Sequence, residues 1–76
     1  PDFCVIISDG QIEIGKNAVL GKALLLSKYD ITIKSGANVN GIALCDGRLI
    51  VEDGVTFARD ESVLQPFVTA YRLKQQ

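Results

Sequence analysis

Apolar and polar positions recur along the chain in three similar segments. The segments are QIEIGKNAVLGKA (11–23), DITIKSGANVNGI (30–42) and RLIVEDGVTFARD (48–60). Laid over one another with offsets of 19 and then 18 residues, they align four apolar columns. The columns are Ile12, Ile31 and Leu49; Ile14, Ile33 and Val51; Ala18, Ala37 and Val55; and Leu20, Val39 and Phe57. Columns that stay in register through every copy indicate a structural repeat.

A short apolar triplet stands before each copy. The triplets are Val5–Ile7, Leu24–Leu26 and Ala43–Cys45, and Val63–Leu64 is aligned as their continuation. This alignment places Cys45 in one column with Ile7 and Leu26, where it would act as a small buried hydrophobic residue. Cys4 would then lie about 10 Å away along the stacking direction. Because a disulfide needs Cα atoms within about 7 Å, we expect two free thiols.

Within the copies, inward and outward residues alternate with a period of two, which is typical of short β-strands. Gly, Asn, Asp, Ser and Lys separate the strands and suit tight turns. Stacking each copy on its equivalent buries an apolar column that no single copy could bury alone, which favours a coil over a meander of hairpins. The sequence therefore predicts an all-β fold, a short parallel β-helix of about three and a half rungs, with a right-handed coil favoured. We assign residues 1–64 to rungs and residues 65–76 to a partial fourth rung or a C-terminal cap.

One turn and several charges support the same alignment. Gly36 and Gly54 share a position with Asn17, which indicates a corner that needs positive φ. Opposite charges also become lateral neighbours on adjacent rungs, roughly 4.8 Å apart. These sets are Asp30 with Arg48, Lys34 with Glu52, and Lys28 between Asp9 and Asp46. A shifted rung would bring like charges together, so the charges favour this register.

The apolar columns resemble a known family. The pattern I-x-I-x-x-G-A-x-V-x-G-I in residues 31–42, followed by L-I-V-E-D-G-V-T-F in residues 49–57, is similar to the bactofilins. These are bacterial polymer-forming proteins built on a right-handed, triangular β-helix. The resemblance covers residues 5 to 59 and implies self-assembly by end-to-end stacking, without a nucleotide. This chain departs from the family in having far fewer rungs.

A second resemblance is to the left-handed β-helix acyltransferases. Residues 14–19 and 20–23 look like two of their hexapeptide repeats, and an 18-residue coil is close to the spacing seen here. The phase is lost at Leu24–Tyr29, however, and the 19-residue step breaks six-residue counting. That family relies on a histidine base, and this sequence contains no histidine.

The absence of histidine also removes most catalytic arrangements. No Ser/His/Asp or Cys/His set and no histidine metal site can be drawn, and no phosphate-binding glycine loop is present. The adjacent carboxylates Glu52–Asp53 and Asp60–Glu61 could serve as acid and base or bind a cation, but turn residues in solvent explain them better. We therefore expect no enzyme activity, no catalytic residue, no cofactor, no metal and no small-molecule substrate.

The ends of the coil are the remaining functional feature. A parallel solenoid has two open rims with unpaired backbone groups, which natural proteins cap or pair with another chain. We predict a homo-oligomer formed through these ends, and name Phe3, Val5, Ile7, Phe67 and Tyr71 as the candidate assembly rim. The predicted function is a structural, self-assembling module. The alternatives are a binding or adhesin-type solenoid, and a fragment of a hexapeptide acyltransferase without its catalytic residues.

Partners and location are less constrained. A net charge of −1 and a pI near 5.1 argue against a nucleic-acid partner. The stretch QPFVTAYRLKQQ (65–76) is a candidate for a membrane or protein contact. The sequence does not determine the location: two thiols without a bridge favour a reducing compartment, and hence the cytoplasm, with membrane association through this tail as the alternative. Neither a signal peptide nor a membrane-spanning run is apparent. The chain contains no methionine, which fits either a trimmed start or a piece of a longer protein.

Overall fold

The computed structural model describes residues 3–66. Within this range the chain forms seven strands and a short 3-10 helix, and Gln65 and Pro66 continue as α-helix. The elements are β1 (Phe3–Ser8), β2 (Ile12–Ile14), β3 (Val19–Ser27), β4 (Ile31–Ile33), β5 (Asn38–Cys45), β6 (Leu49–Val51), β7 (Thr56–Arg59) and the 3-10 helix (Glu61–Leu64). The fold is all-β apart from this C-terminal turn.

The strands stack as a parallel solenoid of about three turns. Odd-numbered strands form a four-stranded sheet in the order β1-β3-β5-β7, and even-numbered strands form a three-stranded sheet in the order β2-β4-β6. Every neighbouring pair is parallel. Each strand therefore lies beside the strand one full turn away and never beside its sequence neighbour. The predicted parallel β-solenoid is confirmed, and its handedness stays a prediction.

The apolar columns of the sequence are the columns of the core. Ile31 pairs with Ile12 on one side and with Leu49 on the other. Val39 likewise lies between Leu20 and Phe57. The largest completely buried side chains of the interior come from the middle of the stack: Leu25, Ile31, Ile33 and Val39. Burying one such side chain stabilises the fold by about 1.5–3 kcal/mol, so these residues dominate the stability of the solenoid.

A bulge explains why the repeat changes from 19 to 18 residues. Leu20 pairs with Val39, an offset of 19, but Ala23 pairs with Gly41, an offset of 18. The extra residue therefore lies between Leu20 and Ala23, on a strand that bends from one side of the coil to the next. Gly41 has a φ of 148°, and a Cβ there would collide with the backbone of Ala23, so only glycine fits this close approach.

The bulge corrects one sequence prediction. Cys45 does not share a column with Ile7 and Leu26, because it pairs with Ser27. The triplets instead form three columns: Val5, Leu24 and Ile42; Ile6, Leu25 and Ala43; and Ile7, Leu26 and Leu44. A slip of one residue exchanges the two faces of a strand. Cys45 consequently packs half-buried against the core, whereas Ile7 and Leu26 point to the outside of the sheet.

The predicted corner is present in all three rungs. Asn17 has a φ of 61°, and Gly36 and Gly54 both have a φ of 77°. A Cβ on Gly36 would meet the side-chain amide of Asn17, which lies over it from the preceding rung. Asparagine tolerates the left-handed region better than most residues, which explains why the corner can begin without glycine.

The end of the described chain differs from the sequence prediction. The last strand ends at Arg59, so Val63 and Leu64 do not extend the strand column. Asp60 caps a 3-10 helix instead, and its carboxylate accepts hydrogen bonds from the backbone N–H (2.9 Å) and the hydroxyl (2.6 Å) of Ser62. Val63 is completely buried against Leu24 and Ile42 on the outer face of the four-stranded sheet. The predicted partial rung or cap lies outside the described residues from position 67 on.

The charged residues predicted to be neighbours do lie on adjacent rungs, but only some of them form ion pairs. Lys34 lies 3.5 Å from Glu52, and Lys28 lies 3.9 Å from Asp9. Asp30 instead accepts a hydrogen bond of 2.8 Å from the backbone N–H of Arg48. This bond joins the turns of two successive rungs, so the carboxylate fixes backbone geometry in place of pairing with a cation.

Candidate functional site

Strand β6, in the last rung of the coil, exposes all three of its apolar side chains. Its side chains are Leu49, Ile50 and Val51, which are 44%, 41% and 47% exposed. In the middle rung the equivalents of Leu49 and Val51 are Ile31 and Ile33, and both are completely buried. We call strand β6, together with Val55 and Phe57 of the same rung, the C-terminal rim.

The backbone of β6 is paired on one side. Arg48 C=O accepts from Ile31 N–H at 2.9 Å, and Glu52 N–H donates to Ile33 C=O at 3.0 Å. In a parallel ladder alternate residues face the same neighbour, so Leu49 and Val51 direct their N–H and C=O groups to the opposite side. Within residues 3–66 no strand lies there. The C-terminal rim thus offers hydrogen-bonding groups and apolar side chains at the same place.

The other end of the coil is better closed. Ile12 and Ile14 of the first rung are only 6% exposed, although β2 also has a strand on one side alone among the described residues. They pack in a cluster with Ile6, Ala18 and Leu20 of their own rung. In the last rung the residue equivalent to Ile6 is an alanine, so less apolar volume covers the interior at that level.

Of the five predicted rim residues, the structure describes the three that lie on the first strand. Phe3, Val5 and Ile7 are on β1, the edge strand of the four-stranded sheet, and all three are exposed. Their side chains alternate with those of Cys4 and Ile6 and point to the outer face, away from the interior. Phe67 and Tyr71 lie outside the described residues. Sequence reasoning did not single out β6, because its apolar residues match those of the buried copies and nothing in the pattern marks them as exposed.

A shallow groove runs along the outer face of the four-stranded sheet. Its volume is about 320 Å³, and its apolar wall is the column of Ile7, Leu26 and Leu44. The remaining lining residues belong to the turns that follow these strands: Ser8, Asp9, Ser27, Lys28, Cys45 and Asp46. Ile7 is 71% and Leu44 is 53% exposed, so this column is open to solvent.

Two of the carboxylates that the sequence offers as candidates for chemistry, Glu52 and Asp60, have structural partners. Glu52 accepts a hydrogen bond of 3.0 Å from Ser35 N–H besides pairing with Lys34. Hydrogen bonds from the hydroxyl and then the backbone N–H of Ser62 lower the pKa of Asp60 below its ordinary value. Both carboxylates thus hold turns together, as expected for residues with a structural role. Among residues 3–66 no group of three or more metal-ligating side chains lies close enough to hold an ion.

Within residues 3–66, fold and surface together define a short parallel β-solenoid with an open C-terminal rim and an apolar groove on its outer face. Comparisons with models of known families, with curated proteins and with solved structures found no match to this chain. No helix in the described range is long and apolar enough to cross a membrane.

Proposed function

We propose that this chain is a non-enzymatic β-solenoid module that self-assembles end to end, in the manner of the bactofilins that its apolar columns resemble. The observation that carries the proposal is the C-terminal rim. Leu49 and Val51 continue the two core columns of β4, yet about half of each side chain is exposed. A further rung placed on β6 would bury them as completely as Ile31 and Ile33 are buried in the middle of the stack.

The two driving forces at this rim act together. A strand added to β6 would satisfy the outward backbone groups of Leu49 and Val51, each hydrogen bond contributing about 0.5–1.5 kcal/mol. Burying the exposed half of both side chains adds on the order of 1 kcal/mol each. These gains must exceed the entropic cost of association, roughly 4–15 kcal/mol. We therefore expect reversible assembly that depends on protein concentration.

The first rung of a second copy is one suitable partner. Stacked in the same direction, Ile12 and Ile14 of that copy would follow Leu49 and Val51 in their columns. Lys16 of the second copy would lie beside Asp53, a favourable neighbour. Asp9 would lie beside Asp46, an unfavourable one. One charge pair therefore favours this arrangement and the other opposes it, so most of the stabilisation would come from burial of the apolar columns.

The test is sedimentation velocity over a hundredfold range of protein concentration, with electron microscopy of the pelleted fraction. The blocking variant is Val51→Lys, which places a charge inside the open rung and prevents stacking. The matched control is Tyr29→Lys, because Tyr29 is an exposed turn residue of the middle part of the coil. We expect the unchanged chain and the control to associate as concentration rises and the Val51 variant to remain monomeric. A monomer at every concentration, or equal association of all three proteins, would contradict the proposal.

A further inference from the structure

The outer face of the four-stranded sheet carries two apolar columns side by side. The first consists of Val5, Leu24 and Ile42, and the second of Ile7, Leu26 and Leu44. Outer faces of solenoid sheets are usually polar, because they meet water. Here two of the three side chains of the first column are covered: Leu24 is 4% and Ile42 is 2% exposed, and Val63 of the 3-10 helix is completely buried against them, whereas Val5 at the edge is exposed. The second column is the open wall of the groove.

Among residues 3–66, the 3-10 helix that covers the first column extends to the edge of the second column. Successive outward residues of a strand are two positions apart, so the columns are separated by about 7 Å. Leu26 of the second column and Leu64 both pack, partly buried, against the cluster of Leu24, Ile42 and Val63. The chain then continues through Gln65 and Pro66 in helical conformation. The described part of this apolar cover therefore reaches the edge of an open apolar strip on the same sheet.

We propose that residues 67–76 of this chain complete the cover by docking on the second column, the strip formed by Ile7, Leu26 and Leu44. Ten residues follow Pro66 in the sequence. They reach about 15 Å as a helix and about 33–36 Å when extended, well beyond the distance to the strip. The spacing of Val63, Leu64, Phe67, Val68 and Tyr71 follows the i, i+3, i+4 pattern of one apolar helix face.

Charge complementarity points the same way. The groove is bordered by Asp9 and Asp46. Lys28 lies 3.9 Å from Asp9, and within residues 3–66 Asp46 makes no ion pair. The segment after Pro66 carries Arg72 and Lys74 and no acidic residue. Basic side chains next to an apolar face match a groove with an apolar wall and an acidic border.

The same chain is a better occupant than a second copy. A segment tethered at Pro66 has an effective concentration in the millimolar range, so weak contacts suffice to hold it. Its docking would close the outer face and leave the ends as the surfaces for assembly. The inference concerns a different surface from the C-terminal rim and stands independently of the proposed function.

The first test measures proximity by NMR in the Val51→Lys background, which separates this question from assembly at the rim. Methyl-labelled protein should show NOEs from Ile7, Leu26 or Leu44 methyls to the ring protons of Phe67 or Tyr71. We expect these NOEs to be unchanged on tenfold dilution. Their absence would overturn the proposal, and so would NOEs that appear only between differently labelled chains, because a second copy would then occupy the groove.

The second test uses a thiol on the strip itself, introduced as Leu44→Cys at an exposed position of the groove wall. In a Cys4→Ser, Cys45→Ser background, which leaves this thiol alone, the rate of reaction with a maleimide reports how often the groove is uncovered. The variant Phe67→Ser with Tyr71→Ser should react about tenfold faster than the parent, as expected when a local cover is lost. The control Gln75→Ser with Gln76→Ser should react at the parent rate. Equal rates for all three proteins would overturn the proposal.

Discussion

The middle rung and the last rung present the same columns to very different surroundings. Ile31 and Ile33 are completely buried, while Leu49 and Val51, one turn later in the same columns, are about half exposed. Both pairs lie on a three-residue strand with a turn on either side. The difference therefore comes from the neighbouring strand, which in the described part of the chain is present on both sides of β4 and on one side of β6.

This difference shows how stability is distributed in a solenoid. A residue gains most of its burial from the copies above and below it, so identical positions in the pattern have unequal energetic weight. Of the three rungs that residues 3–66 form, only the middle one is stacked on both sides. The interior of the coil thus depends heavily on the middle rung, and the last rung is available for contact with another chain.

The largest expected difference in stability is between two substitutions in the same column, one in the middle rung and one in the last rung. Ile31→Ala should lower the free energy of unfolding by about 2–5 kcal/mol, because it opens a cavity in a closed core. Leu49→Ala should lower it by less than about 1 kcal/mol at low protein concentration, because the side chain is already half exposed. Urea unfolding of dilute protein measures both values. Equal losses would show that the last rung is as closed as the middle one.

A second comparison concerns glycines at the bulge. Gly41→Ala should cost about 2 kcal/mol or more, because φ is 148° there and the new Cβ would collide with the backbone of Ala23. Gly21→Ala, at the corresponding bend of the preceding rung, should change stability by about 0.5 kcal/mol or less, because no atom lies within 4 Å of its Cβ position. Thermal unfolding of both variants provides the measurement, and a reversed order would contradict the register between β3 and β5.

A smaller difference in stability is expected between a carboxylate that contacts the neighbouring rung, Glu52, and one that contacts only a residue close to it in sequence, Glu61. Glu52→Gln removes the pair with Lys34 and weakens the bond from Ser35 N–H, so we expect a loss of about 0.5–1.5 kcal/mol. Glu61→Gln removes an exposed pair with Arg59 and should cost less than about 0.5 kcal/mol. Urea midpoints at low and high salt distinguish the two. Equal values would mean that Glu52 contributes nothing to the stacking of rungs.

The smallest effect is a pH dependence at the C-terminal cover. The pKa of Asp60 is lowered by its bonds to Ser62, so the folded state favours the charged form. The stabilisation is present above the unfolded pKa and is lost as pH falls below about 4. Amide exchange of Ser62 and Val63 should therefore accelerate in acid, and the variant Asp60→Ala should remove this dependence. An unchanged pH profile in that variant would assign the effect to another group.

The columns could be predicted from the sequence because each is carried by several copies. Ile12, Ile31 and Leu49 were aligned correctly, since the apolar pair with one residue between recurs in every copy. The corner of Asn17, Gly36 and Gly54 was found for the same reason. A repeated pattern gives the same information several times over, and chance agreement becomes improbable.

The bulge and the C-terminal turn could not be predicted in this way. The step changes from 19 to 18 residues between Leu20 and the next copy, but nothing in the triplets shows on which side of Leu24–Leu26 the change occurs. The choice made from the sequence placed Cys45 one position out of register. Val63 was misassigned because its apolar character suits a strand column as well as a helix that packs on the outer face.

Site-resolved amide hydrogen exchange of β6 as a function of protein concentration is the most direct test of the open rim. The N–H groups of Leu49 and Val51 face the open side, so they should exchange rapidly in dilute protein and at least about tenfold more slowly at high concentration, as a newly paired strand protects them. The N–H of Ile31, bonded to Arg48 C=O, should show no such change. Exchange of Leu49 and Val51 that is rapid at every concentration would contradict assembly through the C-terminal rim.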